Sequence, residues 1–486
     1  MLFELTRVLF GNSIAGLEPS RRYIVVWRLR PHYHQSHRFD PAMSYLSLRR
    51  TMSRLQKFFT STRAIVLIAL LARVLYLFAY FHAHPPHSGR YLVGEEIGSI
   101  AASIATGHGF SSPLYAPSGP TAWSTPVFPY LLAAVFKLFG VYTLHASIAI
   151  RFVNVLFSAL TTYPIILLGR KLFGGSVAAA AGWIWAFLPV AITLPVSWAW
   201  EMSLAALLLT TAIWMTYELE NRGDAAAWNA YGVLWGFAAL ANAATLCVFP
   251  GCLLFAAYRR RQRSIDWLRR TSFAALIFAL SISPWVIRNQ LVFHGQVLFR
   301  SNFGLELWLG NNPDVPDTWT WWLHPLDSTK EHDNFFRLGE VPYMEDKRNA
   351  AVQFIRTHPA DVARFQFHRF LETWTGHSDS FVDIWRTRNP QLRAELLMNY
   401  ALCLFTFLGL LLAHRKMPLL SLPVLNAMLF FPIVYYVCHT SPRYRHPIDP
   451  LLAILAAYAA VSCGRFISEW PRLPAAKEAH GRAEPQ

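Results

Sequence analysis

Charge is scarce in this sequence. Only 15% of its 486 residues are Asp, Glu, Lys or Arg, where a soluble globular chain carries about a quarter. With 54% hydrophobic and 15% aromatic residues beside it, that shortage excludes an ordinary water-soluble domain and points to a bilayer. Cysteine is scarcer still. The five thiols (Cys247, Cys252, Cys403, Cys438 and Cys463) lie in or beside apolar segments and form no CxxC pair, which excludes a disulfide framework and a zinc knuckle. There is no internal repeat and no heptad run, so neither a solenoid nor a coiled coil is expected. The first apolar run, 64–83, is long enough to span a membrane and too long for a cleavable leader.

What the sequence does contain is a series of apolar runs at 64–83, 146–168, 175–195, 200–218, 229–245, 247–257, 271–291, 398–413, 418–437 and 448–465. They predict an all-α polytopic membrane protein of about ten transmembrane helices. The net charge of +16 is clustered: ten Lys and Arg stand against three Asp and Glu before residue 63, and Arg259 to Arg263 hold four arginines. Basic clusters between apolar runs are topology signals, not the basic face of a nucleic-acid binder. With the N-terminus cytoplasmic, Arg170-Lys171, Arg222, the Arg259–Arg270 cluster and Arg415-Lys416 all fall in inner loops. That topology requires the short run Pro126–Gly140 to lie in the outer interface without crossing.

The expected organisation follows. Residues 1–62 form a basic cytoplasmic tail, with Met43 and Met52 as alternative starts; 63–466 form the transmembrane domain; 467–486, rich in Ala, Pro and charge, form a disordered cytoplasmic tail. Two outer loops, 84–145 and 292–397, are large enough to hold a site, and both are expected to carry juxtamembrane helices. The second has an amphipathic helical pattern from Glu345 to Trp374, interrupted at Pro359.

Several ionisable residues sit at the outer ends of these runs. Glu95 and Glu96 follow the first helix and precede Gly/Pro turns at Gly107, Gly109, Pro126 and Pro129, a placement that suits a general base at the membrane surface but also a solvated acidic loop. Glu201 follows Trp198 and Trp200 at the mouth of the fourth run, where a carboxyl is costly unless solvated, paired or functional. Arg288-Asn289 close the seventh run, and Arg443-Tyr444-Arg445 precede the last. Arginines there oppose the inner bias of basic residues and suit a phosphate, whether of a substrate or a lipid headgroup. His82, His84 and His87 form a loose cluster whose spacing fits no ordinary metal site, so no metal or cofactor is expected, and no clean ligand set for a divalent cation is visible. The helix midplanes carry almost no charge, which speaks against ion-coupled transport.

Four motifs, in order, resemble the C-fold membrane glycosyltransferases, which include protein O-mannosyltransferases, aminoarabinose transferases of lipid A and related enzymes acting on lipopolysaccharide. They are the outer-loop stretch from Gly94 to Gly140 with Gly107-His108-Gly109-Phe110, then Pro284-Trp285-Val286-Ile287-Arg288-Asn289, then Gly304 to Pro313, and Arg443-Tyr444-Arg445-His446-Pro447. The similarity covers roughly residues 63–466. It implies an inverting enzyme of the inner cell membrane that takes a sugar from a polyprenyl-phosphate donor. Both termini would be cytoplasmic and the site periplasmic. The acceptor would be a lipid, glycan or protein, and no nucleic acid is involved. The family's catalytic acid, usually an aspartate, falls among residues 93–96, where this chain has only Glu95 and Glu96; Glu96 is favoured. Glu201, Arg288, Asn289, Arg443, Tyr444 and Arg445 are then the expected substrate-binding residues. The alternatives are a polysaccharide ligase or polymerase using a pyrophosphate-linked donor, and a lipid-linked sugar transporter.

Overall fold

The computed structural model describes residues 57–84, 93–222, 224–376 and 390–469. The two expected tails lie outside these except for 57–62 and 467–469. Among the described residues the chain is helical throughout, with an isolated bridge between Ser111 and Pro120 as its one β-type pairing. Helices satisfy their own backbone groups and so can stand in hydrocarbon.

The first helix, α1 (Thr62–Ala83), is followed by α2 (Glu95–Ala105) and α3 (Val127–Phe139), which pack on each other. Next, α4 (Leu144–Leu160) runs on into α5 (Thr162–Phe173), and α6 (Gly175–Phe187) is bent by 44° from α7 (Pro189–Ser197). Proline at the start of α7 supplies no backbone N–H to continue α6, which places the bend. Helix α8 (Met202–Glu218) precedes α9 (Ala225–Ala241), α10 (Phe249–Arg261) and the long α11 (Trp267–Val292). Four helices of the second loop follow: α12 (Phe303–Gly310), α13 (Thr329–Leu338), α14 (Glu340–Thr357) and α15 (Pro359–Thr375). The chain then forms α16 (Pro390–Lys416), α17 (Pro418–Phe430), the short α18 (Ile433–Val437), a tight turn over Pro442–Ile448, and α19 (Asp449–Glu469). The break between α14 and α15 falls at His358, because Pro359 disfavours helical geometry in the residue before it.

Among the described residues seven helices are long and apolar enough to cross a bilayer, and the bent pair α6–α7 makes an eighth. The other two expected spans are the shorter α9 and α10, of 17 and 13 residues, joined by a 3₁₀ turn over Ala243–Cys247. They still connect the same two levels as α8. At one level Glu220 beyond α8 pairs with Arg259 of α10 at 2.6 Å. At the other, Asn242 after α9 donates to Glu201 before α8 at 3.2 Å. The 17 residues of α8 separate these levels by about 26 Å, close to the thickness of a hydrocarbon core. Leu67, Phe78 and Leu404 are exposed, a liability in water and favourable against lipid tails. The chain is therefore a multi-pass membrane protein.

One buried arginine ties the outer loop to the spans. Arg369 of α15 is fully buried and donates to the carbonyls of Thr318, Gly310, Tyr436 and Val437. These carbonyls belong to the end of α12, the loop after it and the end of α18, so one guanidinium fixes three segments. Arg369→Met removes these charged donors and leaves the carbonyls buried and unpaired. It should destabilise the outer loop by roughly 2–5 kcal/mol, read as a lower unfolding midpoint and faster proteolysis within 300–376 in detergent.

Candidate functional site

A cavity of about 790 Å³ lies where the Glu201 end of α8, the Asn242 end of α9 and α18 meet the segments 95–125 and 299–327. Its size is that of a small-ligand site. Trp123, Trp198, Trp200, Trp319 and Tyr435 supply flat apolar walls, surfaces that suit the face of a sugar ring or a prenyl chain.

The first loop is pinned into this wall by residues from elsewhere. Arg288 donates from Nη1 to the carbonyl of Thr121 at 2.7 Å and from Nη2 to that of Phe110 at 3.0 Å. Glu340 accepts from the Ala122 N–H, and Thr125 donates to the Ala241 carbonyl. At the start of α2, Gly94 and Glu95 both have positive φ, 77° and 45°. The second is uncommon for a residue with a Cβ, and such strain tends to occur at functional sites. The tight entry also depends on Gly98, where a Cβ would lie 1.8 Å from the Val93 carbonyl oxygen.

Three carboxyls face the cavity, Glu96 and Glu201 buried and Glu306 half-buried, and each has a different environment. Glu96, 7% exposed, accepts at Oε1 from His324 Nε2 at 3.1 Å, while its Oε2 is buried without a partner. Burial, then the neighbouring Glu95, push its carboxyl up to about 8. Glu201 stands at the N-cap of α8, where the helix dipole favours an anion. Its Oε1 accepts from Asn242 and its Oε2 has no partner; burial raises this carboxyl too. Burial would likewise raise Glu306, yet the hydrogen bond and charge of His439, 2.5 Å away, with Arg300 beyond, hold it at about 2. Burial lowers His324 to about 4, so it is neutral at pH 7. Environments that split titrations so widely separate proton-transfer groups from fixed charges.

The cations divide just as sharply. Arg443 lines the cavity, its guanidinium 4.2 Å from the Trp198 ring and 4.7 Å from Trp200, with Nε buried and unpartnered. Tyr444 lines it as well. Arg288, Asn289 and Arg445 do not. Arg288 is engaged by carbonyls and the Phe110 and Trp285 rings, and Asn289 donates to the Phe299 carbonyl. Arg445 is buried against Asp449 at 2.7 Å and the Trp374 carbonyl at 2.6 Å. These three expected substrate-binding residues hold the walls and do not face the space.

Four residues that sequence reasoning had not singled out do face it: Arg300, Glu306, His324 and His439. Glu306 alone carried a signal, as the one charge in the apolar stretch Phe303–Gly310. Among the described residues Arg300 donates one hydrogen bond, to the Trp123 carbonyl at 3.1 Å, leaving most of its donors for a ligand. Among the described residues no three His, Cys, Asp or Glu side chains gather to hold a metal. His84 stacks on Tyr80, and His87 lies outside the described residues.

Residues 122–287 match the family model for dolichyl-phosphate-mannose-protein mannosyltransferase. The oligosaccharyltransferase of Archaeoglobus fulgidus, in its apo form, superposes with a TM-score of 0.50 at 13% identity over 84% of this chain and 52% of that one. ArnT from Cupriavidus metallidurans, also apo, gives a TM-score of 0.46 at 17% identity over 87% and 62%. A search of curated proteins by sequence returns no match. The fold is thus that of the C-fold membrane glycosyltransferases, and the chain spans about half the length of the archaeal oligosaccharyltransferase.

The close approach at Gly98 gives a direct test of how the site is held. Gly98→Ala should force α2 away from Val93 and lower stability by about 1–3 kcal/mol. In contrast Gly464→Ala, with nothing within 4 Å of the new Cβ, should leave the unfolding midpoint unchanged or slightly raised.

Proposed function

We propose that this protein is an inverting glycosyltransferase that moves a sugar from a polyprenyl-phosphate carrier to a hydroxyl acceptor on the periplasmic face of the inner membrane. The observation that carries this is the unpartnered Glu96 Oε2, buried in a cavity that also holds Arg443 and Arg300. A base and two phosphate-binding cations in one walled space suit nucleophilic substitution at an anomeric carbon. The family matched over residues 122–287 is named for a lipid monophosphate donor, which supports that donor class over a pyrophosphate. The cavity lies at the level of Glu201 and Asn242, opposite the Glu220–Arg259–Arg263 cluster. Since basic loops stay in the cytoplasm, this supports a periplasmic site and a cytoplasmic N-terminus.

In the reaction, Glu96 Oε2 takes the proton of the acceptor hydroxyl as its oxygen attacks the anomeric carbon. The bond from that carbon to the phosphate oxygen breaks on the opposite face, so configuration inverts. The polyprenyl phosphate leaves with the electron pair, and Arg443 and Arg300 meet its charge without reorganising. No divalent ion is assigned to this step, because the two guanidiniums already face the space. Glu201, Glu306 and Tyr444 are placed to bind sugar hydroxyls, and the tryptophan walls exclude the water that would hydrolyse the donor.

Two tests follow. With radiolabelled polyprenyl-phosphate sugars and native membrane extract as acceptor, Glu96→Gln should cut transfer by roughly 10²–10⁴-fold. In the native protein kcat/KM should rise as pH increases towards about 8 and then level off, because the base is protonated below that value. Full transfer by the Gln variant would move the base elsewhere. Arg443→Gln should raise donor KM roughly ten- to hundredfold, the equivalent of about 1.5–3 kcal/mol for a hydrogen bond to a charged group, with acceptor KM unchanged.

A further inference from the structure

His324 is held in a way that fixes which of its nitrogens carries the proton. The Leu326 backbone N–H donates to His324 Nδ1 at 3.2 Å, so Nδ1 is an acceptor and carries no hydrogen. The ring of a neutral histidine then bears its proton on Nε2, the atom 3.1 Å from Glu96 Oε1. The backbone around it is equally fixed: the His324 carbonyl accepts from the N–H groups of Asp327 at 2.9 Å and Ser328 at 2.8 Å. The Trp123 ring meets the imidazole edge-on, 5.8 Å between centroids. Neither ring nor tautomer is free to change.

We infer that His324 is the positioning residue of the catalytic base: its Nε2–H occupies Glu96 Oε1 and so leaves Oε2 as the one oxygen that can accept the acceptor's proton. This rests on the role proposed above for Glu96. Two consequences distinguish it from a packing role. The hydrogen bond favours the carboxylate over the acid, so it opposes the burial and like charge that raise this group. It also fixes the direction of Oε2, which an apolar replacement would not do. The other groups bearing on Glu96 are Glu95 from its own helix, Glu306 from α12, Tyr115 from the first loop and Arg443 from the turn before α19. The Glu96 backbone N–H also favours the carboxylate; among the described residues His324 is the side chain that donates to Oε1.

The test uses the full chain in lipid nanodiscs and two readouts. The first is the infrared carboxyl band of protonated Glu96, assigned by its absence in Glu96→Gln and titrated with pH. The second is the pH profile of sugar transfer. His324→Phe should displace both midpoints upward by about a unit or more and lower kcat with little change in donor KM. His324→Gln, whose side-chain N–H can reach Oε1 from a similar distance, should restore the midpoints towards native values. An unmoved band in His324→Phe would overturn the inference, as would a Gln variant that titrates like the Phe variant. If the band moves as expected while no donor is turned over by the native protein, the hydrogen bond stands and the transferase reading fails.

Discussion

Burying a carboxyl at the edge of a membrane is costly unless something stabilises its charge, and the arrangement around Glu96 follows from that constraint. Half of the group is held by an imidazole that cannot itself become charged easily, and the other half is left open to the cavity. The result is a carboxyl that keeps its proton more readily than a solvated one. Its ionised form is reached only near about pH 8, the range in which the proposed mechanism has it accept a proton. To hold it there, the chain enters α2 through two left-handed residues and uses Gly98 to admit the Val93 carbonyl. It also pins the rest of the first loop from α11 and the second loop. The strain at Glu95 is tolerated because these distant contacts over-determine the local backbone.

Glu306 and His439 show the opposite solution to the same problem. There a half-buried carboxylate sits against a buried histidine at 2.5 Å with Arg300 nearby, and remains ionised over the working pH range. The difference from Glu96–His324 lies in the surroundings. Trp319 stacks on His439 at 4.6 Å, and the Asn302 side chain donates to the other Glu306 oxygen, so both carboxylate oxygens are satisfied. A saturated carboxylate is a fixed charge, able to bind hydroxyls but poorly placed to take a proton. An unsaturated one retains that capacity. One cavity therefore contains a group suited to chemistry and a group suited to binding, separated by hydrogen-bond count.

Much of the fold was legible in the sequence because membranes impose length and apolarity so strongly. The runs at 64–83, 271–291, 398–413 and 418–437 emerge within spans of similar bounds. What was not legible was the hairpin α9–α10: its runs are apolar, but whether 17 and 13 residues reach both levels depends on Asn242 and Arg259 finding Glu201 and Glu220. The site divided in the same way. The carboxyls at Glu95, Glu96 and Glu201 stand out in apolar surroundings, and the structure brings all three to one cavity. His324, in a stretch with no periodicity of its own, could be placed only by the turn that folds it back.

The arginines show why residue type and position alone were insufficient. Arg288, Arg445 and Arg443 all lie at outer helix ends, and all suit a phosphate equally well on sequence. A guanidinium has five donors, and what separates these three is how many nearby acceptors the fold supplies. Around Arg288 and Arg445 the chain presents backbone carbonyls and a carboxylate left over where loops end and helices begin. Each uses the cation to satisfy buried oxygens that water cannot reach. Arg443 meets the faces of Trp198, Trp200 and Tyr444 and hydrogen-bonds the Tyr444 side chain, and ring faces attract the cation without consuming its N–H groups. An aromatic cradle of this kind holds an arginine in place while engaging few of its donors. The tryptophans at Trp198 and Trp200, which on sequence resemble a membrane-interface belt, thereby serve the site by leaving Arg443 available to an anion.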